Sequence, residues 1–178
     1  MNHEFDIYSA RILIVDDMPA NVALLEQLLA QAGYKNVSST MAPKTVGALH
    51  AANNYNLILL DLQMPDMDGF EVMAELEKIT IGSYLPVIVL TAEPGHKLRA
   101  LQAGAKDFIS QPFDLIEVKT RIYNMLEVRM LYDKLEKYTK LLEYATNQRT
   151  EEMHSPVHLA SQSTRSNIPV GAGGVQHI

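Results

Sequence analysis

Short apolar runs alternate with longer helix-like segments between residues 11 and 120 of the chain. Five of the runs have the length of strands: residues 11–15, 36–40, 56–60, 86–90 and 107–110. Those at 11–15, 56–60 and 86–90 are almost continuously apolar, which is typical of strands covered on both faces of a parallel sheet. The other two contain more polar residues, which favours positions at the edges of the sheet.

Helix-like segments separate these runs. Residues 19–32 place apolar side chains on one helical face, with Pro19 near the start and Gly33 as a stop signal. The segment 69–79 repeats apolar residues at spacings of three, whereas 43–52 is less regular and 94–103 is short. Strands that alternate with helices in this way predict an α/β fold, a doubly wound five-stranded parallel sheet with helices on both faces.

A long helix is predicted from Asp114 onward, because no proline or glycine follows until Pro156. Apolar residues recur along it at alternating spacings of three and four, namely Val128, Leu131, Leu135, Tyr138, Leu142 and Ala145. This heptad seam indicates a coiled coil and a homodimer through the C-terminal helix. The alternative is that the same stripe packs back on its own domain.

These patterns divide the chain into four parts. Residues 1–10 are predicted to form an N-terminal segment, 11–125 the α/β domain and 126–150 a helical extension with coiled-coil character. Residues 151–178 are rich in serine, glycine and proline, which predicts a disordered tail.

The composition limits the cellular locations and the classes of partner that we expect for the chain. The 178 residues include no cysteine, which excludes disulfides and thiolate metal sites. The net charge of −6 argues against a large nucleic-acid surface. No apolar run approaches the roughly 18 residues of a membrane span, and residues 1–11 show no secretion leader. We therefore expect a cytoplasmic protein with neither nucleic acid nor membrane as a partner.

Acidic and polar side chains stand where the predicted strands end. Asp16 and Asp17 follow the first strand, Asp61 the third, Thr91 the fourth and Gln111 the fifth. The carboxyl ends of parallel strands share one edge of the sheet, where ligands of such folds bind. Three carboxylates that meet there repel one another, and Mg²⁺ relieves such a cluster where a phosphate will share its coordination. Each acid taken alone is more simply a helix cap.

Four separated motifs, in this order and spacing, resemble the response regulator receiver domain of two-component signal transduction. They are Ile-Leu-Ile-Val-Asp-Asp at 12–17, Leu-Leu-Asp-Leu-Gln-Met-Pro-Asp-Met-Asp-Gly at 59–69, Pro-Val-Ile-Val-Leu-Thr-Ala at 86–92 and Ala-Gly-Ala-Lys-Asp-Phe-Ile-Ser-Gln-Pro-Phe at 103–113. The resemblance covers about residues 10 to 125. It implies a (βα)5 flavodoxin-like receiver fold.

The resemblance also implies a phosphoacceptor site. Asp61 would take a phosphoryl group from a phosphohistidine on a sensor histidine kinase or a phosphotransfer protein. Asp17 and Asp61 would bind Mg²⁺ directly, together with the backbone carbonyl of Gln63, while Asp16 would act through water. Thr91 would be the switch hydroxyl that bonds a phosphoryl oxygen, and Phe108 would be an aromatic switch.

One residue departs from the family pattern. The receiver family usually has a lysine immediately before Pro112, and this chain has Gln111. A glutamine amide can donate a hydrogen bond but brings no positive charge, so its contact with a phosphoryl group is weaker. The domain would then accept phosphate with weakened coupling, signal without phosphate, or hold phosphate for an altered time. The family also has a cis peptide at this loop, which an X–Pro bond permits.

Three functions compete on this evidence. The first is a signalling receiver that works through its surface and its extended last helix. The second is a phosphate sink, in which Asp61 only drains a kinase. The third is a phosphohydrolase, an enzyme, but its chemistry normally needs an acid two residues after the nucleophile, where this chain has Gln63. We therefore expect a phosphoacceptor and not an enzyme.

Overall fold

The computed structural model describes residues 6–154, except the side chains of residues 152 and 154. Five strands form one parallel sheet in the order β2-β1-β3-β4-β5. Their bounds are Arg11–Val15 (β1), Asn36–Thr40 (β2), Leu57–Asp61 (β3), Val87–Thr91 (β4) and Asp107–Ser110 (β5). The two less apolar strands, β2 and β5, lie at the edges as predicted.

In the described part of the chain, five α-helices connect and follow the strands: Pro19–Gln31 (α1), Val46–Asn53 (α2), Gly69–Ile79 (α3), Pro94–Gln102 (α4) and Leu115–His154 (α5). Short 3-10 turns occupy Ile7–Ser9 and Pro43–Thr45, and the second of these replaces the first turn of the helix predicted from residue 43. The asparagine at position 54, in the left-handed conformation, ends α2.

Two separate apolar clusters cover the two faces of the sheet. Side chains from α1 and α5 pack on one face, where Leu25, Leu29, Val118 and Ile122 are all inaccessible to water. Side chains from α2, α3 and α4 pack on the other face. This arrangement confirms the doubly wound parallel sheet. It also explains why the central strands β3 and β4 are buried at every position.

The third and fourth strands lie one residue later than the sequence predicted. Leu57–Asp61 and Val87–Thr91 replace the expected 56–60 and 86–90. Asp61 pairs with Leu90, and Thr91 pairs with Ser110, so both residues are the last paired positions of their strands. The prediction that Asp61 and Thr91 follow their strands was therefore wrong. As strand residues they are buried, with 6% and 2% of their surface exposed.

Helix α5 continues past residue 150, the end predicted for the helical extension, and reaches His154. Asp114 caps its start, since its carboxylate accepts a hydrogen bond from the backbone N–H of Glu117 at 2.8 Å. The chain divides into two compact units, Met1–Lys134 and Leu135–Ile178. The tail predicted at 151–178 lies outside the described residues from 155 onward. Among the residues described, no helix is both long and apolar enough to span a bilayer.

Candidate functional site

Three aspartates meet at the carboxyl edge of the sheet. Asp16, Asp17 and Asp61 each present an oxygen within 4.8 Å of the others. Asp16 and Asp61 are buried, and Asp17 is half-buried. Chain order separates these residues by a whole β-α-β-α unit, but β1 and β3 are hydrogen-bonded neighbours in the sheet. The predicted convergence of positions 16, 17 and 61 is therefore what the fold produces.

The carboxylate of Asp16 is held in place by its own neighbours. One oxygen accepts a hydrogen bond from the backbone N–H of Met18 at 2.8 Å, and the other accepts from the Asn21 side chain at 3.0 Å. The sequence analysis missed Asn21. Its signal is a polar residue in the first turn of α1, close enough to reach back to the acidic pair.

Burial and mutual repulsion raise the pKa values of Asp16 and Asp61. Desolvation raises the pKa of Asp61 from 3.8 to about 6, and the negative charges of Asp16 and Asp17 push it in the same direction. The backbone N–H groups of Gln63 and Leu62 oppose that rise but do not cancel it. Burial also raises the pKa of Asp16. The cluster therefore carries excess negative charge that a cation would neutralise.

Thr91 and Gln111 are joined through the backbone. The Gln111 N–H donates to the carbonyl of Thr91 at 2.9 Å, which extends the β4–β5 pairing by one residue. The Thr91 hydroxyl is engaged in its own turn, where it accepts from the Glu93 N–H at 3.1 Å. The Gln111–Pro112 peptide is cis, as the resemblance implied.

Phe108 lies on the edge strand β5 between two cations. The Lys97 ammonium lies 4.6 Å from its ring centroid, and the Arg121 guanidinium lies 5.2 Å from it. Arg121 is itself fixed by Asp107, with its Nη1 atom 2.7 Å from Oδ1. Lys97 also donates to the Ser110 hydroxyl at 2.9 Å. No pattern in the sequence predicts this arrangement, because α4, β5 and α5 all contribute to it.

The loop after β3 carries Gln63 on the exposed side of the site. Its side-chain amide donates to a carboxylate oxygen of Glu93 at 2.6 Å, which links the β3–α3 and β4–α4 loops. The loop ends at Asp68, which forms a reciprocal capping box with Glu71. Asp68 is thus the N-cap of α3, and it belongs to no metal cluster found among the described residues.

Gly69 closes the loop for a reason that the sequence did not show. Its φ is not positive, so an unusual backbone conformation does not explain the glycine. A Cβ atom at Gly69 would instead lie 2.5 Å from the backbone oxygen of Asp61 and 2.9 Å from the Cα of Leu62. The start of α3 therefore packs directly on the backbone of the site.

The donor set fits a hard divalent cation. Carboxylate oxygens are the ligands that Mg²⁺ prefers, and it binds through few carboxylates when a phosphate completes its coordination. The three oxygens are close enough together to surround one ion.

The model of the family described as response regulator receiver domain matches residues 12–123. The matched part includes the three aspartates, Thr91 and Gln111 and covers most of the chain. This chain belongs to the response regulator receiver domain family.

Relatives of this receiver include larger regulators. It is 39% identical over 129 residues to the response regulator PleD of Caulobacter vibrioides, a match that covers 71% of this chain and 28% of that protein. It is 31% identical over 150 residues to a probable cyclic di-GMP phosphodiesterase of Vibrio cholerae, covering 83% of this chain and 34% of the other. The chain thus spans about a third or less of the length of these two relatives.

Solved structures agree with the receiver fold. The receiver domain of the Pseudomonas aeruginosa sensor histidine kinase PA1611 superposes with a TM-score of 0.59 at 26% identity. That match covers 67% of this chain and 98% of the other, which was solved with a magnesium ion coordinated in its active site cleft. The signal receiver domain of a LuxO repressor protein from Vibrio parahaemolyticus shares the fold, with a TM-score of 0.64 at 23% identity over 72% of this chain and 98% of the other.

Proposed function

We propose that the chain is a cytoplasmic receiver that accepts a phosphoryl group on Asp61 and acts as a phosphoacceptor, not as an enzyme. A sensor histidine kinase or a phosphotransfer protein would be the donor. The observation that carries this proposal is the cluster of Asp16, Asp17 and Asp61, whose oxygens lie within 4.8 Å of one another at the carboxyl edge of the sheet. Family membership over residues 12–123 supports it.

In the proposed transfer, a carboxylate oxygen of Asp61 attacks the phosphorus of the donor's phosphohistidine. A new P–O bond forms while the P–N bond breaks, and the imidazole nitrogen keeps the electron pair of that bond. Bound Mg²⁺, held by Asp17, Asp61 and the backbone carbonyl of Gln63, would supply charge neutralisation for the phosphoryl oxygens. Asp16 would orient the cluster through water, since the N–H of Met18 and the Asn21 amide already fix its carboxylate.

The phosphoryl group would be sensed by residues at the ends of β4 and β5. Thr91 would exchange its present contact with Glu93 for a hydrogen bond to a phosphoryl oxygen. Phe108 would then change its side-chain conformation as the aromatic switch. This movement would alter the contacts of its ring with Lys97 and Arg121. Both residues lie on neighbouring strands, which supports a concerted movement.

The glutamine at position 111 supports a switch that responds less strongly to the phosphoryl group. Its backbone is bound to Thr91, but its amide can offer a phosphoryl oxygen only a neutral hydrogen bond. We infer phosphate acceptance with weakened coupling between the phosphoryl group and β5. If this coupling were lost completely, the domain would be a phosphate sink or a phosphorylation-independent receiver, which is the alternative function.

Labelling with an acyl phosphate and Mg²⁺ tests the proposal. Intact-mass spectrometry of the full chain should show the addition of one phosphoryl group to the wild type and none to Asp61→Asn. Asp66→Asn, in the exposed part of the same loop, is the matched control and should label like the wild type. Gln111→Lys should also label, and its adduct should differ in lifetime because the introduced ammonium contacts the phosphoryl group. Persistent labelling of Asp61→Asn would refute the assignment.

The proposed homodimer rests on the apolar seam of α5. Leu131, Leu135, Tyr138 and Leu142 are each more than 60% exposed, although they recur at heptad spacing. A second copy of α5 in parallel would cover the seam.

Light scattering on the full chain measures the dimer directly. We expect the wild type to have twice the mass of the 19.9 kDa chain. The double variant Leu135→Lys/Leu142→Lys should have the mass of one chain, because each lysine places a charge in the seam. Tyr144→Lys, on the opposite side of the helix, should remain dimeric. A wild type with the mass of one chain at all concentrations would contradict the dimer.

A further inference from the structure

Tyr84, in the loop between α3 and β4, contacts helix α5 at three points. Its ring stacks on Tyr132, with centroids 4.1 Å apart and an angle of 9° between the planes. Its hydroxyl lies 3.6 Å from the sulfur of Met125, and its carbonyl accepts a hydrogen bond from Arg129. Met125, Arg129 and Tyr132 are four and three residues apart, so they share one face of the helix. We call these four residues the tyrosine clamp.

Arg129 makes the clamp more specific than a surface contact. Only 18% of its side chain is exposed, and its Nη2 atom lies 3.0 Å from the carboxylate of Asp133. The guanidinium thus donates to the backbone carbonyl of Tyr84, and its charge is neutralised by Asp133 in the next turn of α5. A planar guanidinium with two fixed partners defines a direction as well as a contact.

The clamp lies where two strands of the site begin. Tyr84 stands just before β4, which ends at Thr91. Its ring also lies 5.5 Å from the ammonium of Lys106, the residue before β5, and the Lys106 N–H donates to the carbonyl of Val87 at 2.8 Å. The far ends of the same two strands carry Thr91 and, just after β5, Gln111. The two strands are paired along their length.

The clamp also coincides with the first part of the heptad seam. Val128 and Leu131, which open the seam, lie between the clamp residues Met125 and Tyr132 and face solvent, with 39% and 64% of their surface exposed. The inward face of this stretch is therefore held by the clamp and by Leu126, which is buried in the apolar cluster.

We propose that the tyrosine clamp transmits the state of β4 and β5 to residues 125–133 of α5, with Tyr84 as the positioning residue. A change at the Thr91 and Gln111 ends shifts the paired strands. The clamp at their other ends carries that shift to the turns where the seam begins. This regulation rests on the proposed phosphorylation of Asp61.

Hydrogen exchange of the full chain with Mg²⁺, read by mass spectrometry with and without an acyl phosphate, tests the clamp. In the unphosphorylated protein we expect Tyr84→Ala and Tyr132→Ala to exchange the amides of residues 125–134 roughly tenfold faster than the wild type. Tyr84→Phe keeps the stacked ring and should behave like the wild type. Tyr144→Ala, at an exposed tyrosine of the same helix outside the seam, is the matched control and should leave these amides unchanged.

Phosphorylation supplies the second comparison. We expect exchange at residues 125–134 to change when the wild type is phosphorylated, and this change to disappear in Tyr84→Ala although its mass shows the phosphoryl adduct. A change of the same size in Tyr84→Ala would overturn the transmission, as would phosphorylated wild type with unchanged exchange. A wild type that acquires no adduct would refute the proposed function and its regulation. Equal exchange in unphosphorylated Tyr84→Ala and Tyr144→Ala would instead refute the clamp itself.

Discussion

Replacing Asp61 with asparagine should stabilise the metal-free protein at alkaline pH. Burial raises the pKa of Asp61 to about 6 from 3.8, so the folded chain holds a proton that the unfolded chain releases between these values. The stability linked to this proton is fully present below pH 3.8 and is lost as the pH rises through about 6. Ionised Asp61 therefore costs the fold up to about 3 kcal/mol, and a neutral amide of the same shape removes that cost.

Urea unfolding in the presence of a chelator measures this effect. At about pH 8 the free energy of unfolding of Asp61→Asn should exceed that of the wild type, and near pH 4 the two should converge. Asp66→Asn, an exposed acid five residues away, should match the wild type at both values. Asp61→Asn that is no more stable than the wild type at about pH 8 would show that the buried carboxylate is not under electrostatic strain.

Gly69→Ala should destabilise the fold by about 3 kcal/mol. The added methyl would lie 2.5 Å from the Asp61 carbonyl oxygen, inside the contact distance, and 2.9 Å from two atoms of Leu62. The Asp61 oxygen and the Leu62 Cα are backbone atoms, so moving a side chain cannot relieve these two contacts. Overpacking of this kind typically costs about 1–3 kcal/mol, and a backbone collision lies at the upper end.

Gly47→Ala is the matched control. At this position, in α2, a Cβ would meet only the Cδ1 atom of Ile79, at an ordinary 3.7 Å. Alanine should therefore be neutral or stabilising by up to about 1 kcal/mol through its helix propensity. Chemical denaturation of both variants gives the comparison. Equal free energies of unfolding for Gly69→Ala and the wild type would mean that α3 can move away from the site.

The sheet and the acidic cluster could be predicted from the sequence because both follow from local patterns. Continuous apolar runs identify central strands, and acids at the ends of parallel strands must share one edge of the sheet. At the start of β4, Pro86 has no N–H to donate, and the strand begins at Val87. At the other ends of β3 and β4, pairing extends to the polar residues Asp61 and Thr91, which the apolar pattern alone did not predict.

Contacts between distant segments could not be predicted. Three features depend on how complete helices, strands and loops pack together. They are the stacking of Tyr84 on Tyr132, the contacts of Lys97 and Arg121 with the Phe108 ring, and the close approach of Gly69 to the backbone after β3. A single sequence gives the periodicity of a helix but not which loop meets it. The length of α5 was also underestimated, since polar residues beyond 150 continue the helix without an apolar signal.

Calorimetric titration of the full chain with Mg²⁺ tests most directly whether the three carboxylates share one cation. We expect one ion per chain for the wild type and for Asp66→Asn. Asp17→Asn and Asp61→Asn should bind at least roughly tenfold more weakly, because even the outer partners of metal ligands contribute that much. Wild-type affinity in both Asp17→Asn and Asp61→Asn would contradict a magnesium site at this edge of the sheet.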